Sequence, residues 1–67
     1  MAKPVLTVDL RGPDGNVYVL VNRVAEALVE AGQDDQAIEL KTLALAQRSY
    51  EAVLELCKTY ADVTFLR

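Results

Sequence analysis

Two aspartates, a hydroxyl and a thiol are the groups in this chain whose chemistry could be put to use. Asp9 and Arg11 stand two apart in an alternating stretch, so on a strand they face the same side, and Asp62 opens a second β-prone stretch near the C-terminus. Gathered together, such carboxylates could serve acid–base chemistry. The plainer reading is an exposed Asp9–Arg11 ion pair, worth at most about 1 kcal/mol. It is also the stronger one, because the sequence supplies no histidine, no serine–base pair and no metal-ligand set to accompany the carboxylates. Ser49 lacks a base and reads as a helix cap rather than a nucleophile. Cys57 falls at an apolar helical position and reads as an inert packing residue. A reactive thiol needs a neighbouring cation, and Lys58, though adjacent in sequence, turns to another face of a helix.

Gly12-Pro13-Asp14-Gly15-Asn16 is the other stretch with chemical potential. A glycine-rich turn ahead of a helix exposes backbone amides to anions. Here Asp14 would repel an anion or take those donors itself, and the spacing matches neither the phosphate loop nor the dinucleotide fingerprint. These five residues therefore read as a structural turn and cap, with Gly12 and Gly15 permitting the turn and Asp14 or Asn16 satisfying helix donors. Tyr18, Tyr50 and Tyr60 could stack on bases. The net charge of −3 and the scatter of the seven basic residues argue against a nucleic-acid partner. The tyrosines are assigned instead to the core rim or an interface. No catalytic residue, cofactor or metal is expected.

The elements that must position these groups follow from periodicity. Pro4 suits a strand start. Val5 to Leu10 alternates, with Leu6, Val8 and Leu10 on one face and Val5, Thr7 and Asp9 on the other. Two readings compete for Val17 to Val21: the second arm of a hairpin (5–10 with 17–21, followed by two or three helices), or the start of a helix. Val17, Leu20, Val21, Val24, Leu28 and Ala31 recur at helical spacing, which favours the helix. Gly32 closes it, and Asp34 or Asp35 caps a second helix through Ala37, Ile38, Leu40, Leu43, Ala44 and Leu45. Apolar groups on several sides of that helix imply burial between neighbours or at an interface. Ser49 caps a third helix whose apolar face is Tyr50, Val53, Leu54, Cys57, Tyr60 and Ala61. With no glycine or proline in 33–62, one long kinked helix is also compatible. Val63 to Leu66 is β-prone and needs the first strand as partner. The expected architecture is α+β: a β-α-α-α-β order with a two-stranded sheet packed on helices.

Sixty-seven residues allow a single domain, 1–67, and a chain so short buries only about 60% of its unfolded surface. Its hydrophobic share of 52% exceeds what so small an interior needs, and one cysteine forms no intrachain staple. Self-association, most simply as a dimer that extends the sheet, is the expected outlet, with Leu6, Val8, Tyr18, Tyr50, Tyr60 and Phe65 as the interface candidates. No leader and no segment of membrane-spanning length is expected, which points to a reducing, cytoplasmic setting without membrane association.

The run Thr7-Val8-Asp9-Leu10-Arg11-Gly12-Pro13-Asp14-Gly15-Asn16 resembles a "D-L-x-G-P-D-G-N" signature of short bacteriophage and mobile-element proteins, where it precedes an apolar helix. The resemblance continues through Ala31-Gly32, Ser49-Tyr50 and Asp62-Val63-Thr64. This chain departs from it with Val17-Tyr18-Val19 where small residues are common, and with Arg48 in place of glycine. The resemblance implies a source and a helix from Val17 onward, and no activity. The expected function is that of a non-catalytic, self-associating protein that binds another protein. The alternative is a small nucleic-acid-binding regulator using Arg11, Arg23 and Arg48.

Overall fold

The alternation at the N-terminus becomes a strand. In the computed structural model, which describes residues 3–67 apart from the side chain of Asp14, β1 (Val5–Asp9) leads into a 3-10 turn (Pro13–Gly15). Helices α1 (Val17–Glu30), α2 (Asp34–Ala44) and α3 (Tyr50–Tyr60) follow, and β2 (Asp62–Leu66) ends the chain. Met1 and Ala2, read from sequence as the beginning of a polar lead, lie outside the described residues, and so does a capping role for the Asp14 side chain.

Proline at the head of the 3-10 turn supplies a preset φ, and Gly15 and Asn16 donate their amides to the carbonyls of Gly12 and Pro13 at 3.0 and 3.2 Å. Asn16 then stays extended (φ −65°, ψ 133°), and its side-chain oxygen accepts from the Tyr18 amide at 2.9 Å. That cap starts α1 at Val17, so the hairpin alternative does not form. Leu20, Val21, Val24, Ala25 and Leu28 of α1 are buried.

At the far end Gly32 adopts φ 77°, the left-handed region that favours glycine. The amides of Gly32 and Gln33 bond back to Val29 and Leu28 at 2.9 and 2.8 Å, the paired closure of a Schellman motif. This closure uses up the link to α2. Gln33, rather than Asp34 or Asp35, takes the cap position, and the two aspartates fall inside the first turn, where their charge still favours the helix dipole. Only Ala37 and Leu40 of α2 are buried, so the expectation of a helix covered on several sides does not hold within one chain. The amides of Ala46 and Gln47 turn back to Leu43 and Ala44, ending α2 without glycine or proline. Ser49 Oγ accepts from the Ala52 amide at 3.1 Å and begins α3, so residues 33–62 form two helices.

Three helices return the chain to lie beside β1 in parallel, with Val5 opposite Asp62 and Asp9 opposite Leu66. Val8 and Val63 pack with the helices in one core whose fully buried members include Leu20, Leu28, Leu40 and Leu54. The other sheet face, formed by Val5, Thr7, Asp9, Asp62, Thr64 and Leu66, is exposed. No helix among the described residues is long and apolar enough to cross a membrane.

Candidate functional site

The carboxylate cluster imagined from sequence is not assembled. Asp9 Oδ1 accepts from the Arg11 amide at 2.9 Å and from Nε at 3.0 Å, while Oδ2 accepts from Nη2 at 3.2 Å. These hydrogen bonds hold the exposed Asp9 carboxyl below its ordinary range and raise the guanidinium. Asp62 stands opposite Val5, at the other end of the parallel pair. Four residues of strand, roughly 13 Å, separate its level from that of Asp9. Asp62 instead borders a separate hollow with Lys3 and Lys58.

Ser49 is occupied as a cap. Cys57 is fully buried, and burial pushes its thiol up to about 11. The ammonium of Lys58 lies 5.9 Å from the centre of the Phe65 ring, engaged with the sheet. Alkylating reagents are expected to leave Cys57 untouched at neutral pH and to modify it on unfolding. Above its ordinary pKa of 9.0 the thiol of the unfolded chain ionises first, so stability falls as pH rises from there to about 11. Urea melts at about pH 8 and 10.5 should differ by an amount on the order of 1–2 kcal/mol through this group, and Cys57→Ala should show a smaller difference.

The interface candidates separate into buried, partly buried and exposed sets. Val8 is fully buried and belongs to the core of the single chain, since its side chain falls at the centre of the covered sheet face; it is not available to a partner. Leu6, Tyr60 and Phe65 are partly buried against that core. The Tyr60 hydroxyl donates to Glu39 Oε1 at 2.7 Å, and this bond to a carboxylate raises its pKa. Tyr18 is 69% exposed. Tyr50 donates its hydroxyl to the Gly15 carbonyl at 2.7 Å, tying the start of α3 to the turn 35 residues earlier.

Two surfaces remain. The first is the sheet edge. The Asp62 amide bonds to Pro4 O and the Leu10 amide to Leu66 O, at 2.8 and 2.7 Å. Because strand period is two, even-numbered residues of both strands turn their amides inward, and Val5, Thr7, Asp9, Val63 and Phe65 turn theirs to the outer edges. The second is a groove of about 580 Å³ between the first turn of α1, the end of α2 and the start of α3. Val17, Tyr18, Leu45 and Tyr50 give it apolar walls, and Lys41 and Arg48 border it. Of the three arginines considered for nucleic acid, Arg11 is paired with Asp9 and Arg48 lines this groove. The groove escapes sequence reasoning because its walls come from three segments, none unusual alone. Leu45, read from sequence as part of the second helix, instead lies just beyond α2 and is 78% exposed.

Neither a protein-family model, nor a curated protein, nor a solved structure matches the chain.

Proposed function

We propose that this chain is a non-catalytic interaction protein of bacteriophage or mobile-element type, working in a reducing, cytoplasmic setting. In this reading it self-associates through the outer edge of β1 and acts by binding another protein. The observation that carries the reading is the open edge of β1, with the outward amide of Thr7 at its centre. Antiparallel pairing of two β1 strands about a two-fold axis at Thr7 sets Val5 against Asp9 of the second copy and yields a four-stranded sheet. The strand carries no unpaired charge to oppose this, since Arg11 already neutralises Asp9. β2 has Lys58 held against Phe65, and a lysine beside a strand discourages edge pairing. The non-catalytic part is supported by the prior engagement of three of the groups considered for chemistry, Asp9 with Arg11, Ser49 with Ala52 and Cys57 within the core, and by the distance of Asp62 from Asp9.

Light scattering at high micromolar concentration is expected to report a dimer. Thr7→Pro removes an outward amide without losing a ladder bond, so it should weaken association by at least about tenfold while leaving the far-ultraviolet circular dichroism unchanged. A strict monomer, or a dimer indifferent to Thr7→Pro, would reject this interface.

A further inference from the structure

We infer that the groove between α1, α2 and α3 is the docking site for an acidic amphipathic helix of a partner protein. This rests on the reading of the chain as an interaction protein, but it uses a face distinct from the β1 edge.

Charge complementarity names the occupant. The chain carries a net charge of −3, yet among the described residues the groove is lined by the cations Lys41 and Arg48 and by no carboxylate. Glu51, next in sequence to Tyr50, is drawn away by Arg67, whose Nη2 donates to its Oε2 at 2.9 Å. An acidic ligand therefore meets local attraction on a molecule that otherwise repels it.

The walls suit apolar side chains. Leu45, Tyr18 and Tyr50 are 78%, 69% and 38% exposed. Two tyrosines and an arginine around one depression form a surface in which an anchor side chain can be desolvated. Tyr50 is already fixed by its bond to the Gly15 carbonyl, so binding need not order it. A groove walled by side chains offers no ladder to an extended strand, whereas a helix arrives with its backbone bonds satisfied.

The test is selection from a display library of helices of about 18 residues, long enough for five turns, with a fixed apolar stripe and flanking positions drawn equally from Glu and Lys. Enrichment of Glu is expected. Selected peptides, measured by fluorescence anisotropy, should lose at least about tenfold in affinity for Lys41→Glu/Arg48→Glu and for Leu45→Ser, each verified as folded by circular dichroism. The charge-reversed double variant should instead prefer Lys-rich peptides. Thr7→Pro should bind as the parent does, which separates this site from the dimer edge. Equal use of Glu and Lys, no binders, or binders indifferent to the groove variants would overturn the proposal. Loss of the dimer on Leu45→Ser would also overturn it, because the groove would then belong to the self-interface.

Discussion

Gly15→Ala is expected to destabilise the fold by about 2–3 kcal/mol, while Gly12→Ala stays within about 0.5 kcal/mol of the parent. A methyl group at position 15 would overlap the carbonyl oxygen of Leu10 and lie 3.0 Å from its carbonyl carbon. That carbonyl is backbone, and the Leu10 amide is bonded to Leu66 O at 2.7 Å, so the strand exit cannot swing aside without disturbing the sheet. The same displacement strains the bond from Tyr50 to the Gly15 carbonyl. Gly12 has φ −113° and open space where a methyl group would go, conditions any residue meets. For a chain of this length, total stability is only about 3–10 kcal/mol, so the Gly15 change consumes a large part of it. Urea denaturation of the two variants measures the contrast. Equal tolerance of both changes would show that the close approach of Gly15 to Leu10 does not constrain the corner.

Leu40→Ala is expected to cost about 2–5 kcal/mol, enough to leave a large unfolded fraction in so small a domain. Leu40 is fully buried, and apart from Ala37 and the partly buried Ala44 it is what α2 commits to the core. Ile38, on the same helix, is 65% exposed and offers no compensation. Amide exchange should show α2 losing protection before α1 and β1, because a helix with two buried residues opens locally once the larger is cut back. Ile38→Ala is the companion change, expected within about 0.5 kcal/mol in the monomer. A Leu40→Ala protein as stable as the parent would mean that α2 is held by something other than its packing.

The features legible in the sequence were those whose causes lie within a few residues. The cap at Asn16, the closure at Gly32 and the cap at Ser49 each depend on one side chain or one glycine acting on backbone two to five residues away. The faces of α1 and α3 follow from apolar spacing except at their ends, where Ala31 and Tyr50 are exposed, and the alternation of β1 follows from period two. The start of α2 was misplaced by one or two residues for the same local reason seen from the other side. Asp34 and Asp35 are good cap types, but the Schellman closure of α1 had already positioned Gln33.

Gly12 and Gly15 look alike in sequence, and only the packing of Leu10 above the turn shows that Gly15 is needed for space and Gly12 for nothing comparable. Asp9 and Asp62 both sit on strands, and only the parallel register puts them at opposite ends of the sheet. Val8 was expected at an interface, and the core took it. The groove arises where α1, α2 and α3 converge, and no single segment carries its signature. By itself the sequence favoured the order β-α-α-α-β and determined the alternation of β1, most of the apolar faces of α1 and α3, and the cap of α3, because short-range hydrogen bonds and periodicity suffice for these. The choice of Asn16 over Asp14 as the α1 cap, of a helix over a hairpin arm at Val17, and of two helices over one in 33–62 came with the folded chain. The parallel register, the steric role of Gly15, the membership of the core and the two exposed surfaces were decided only by tertiary structure. Each depends on which distant segments come into contact, and that is settled by the packing of the whole chain.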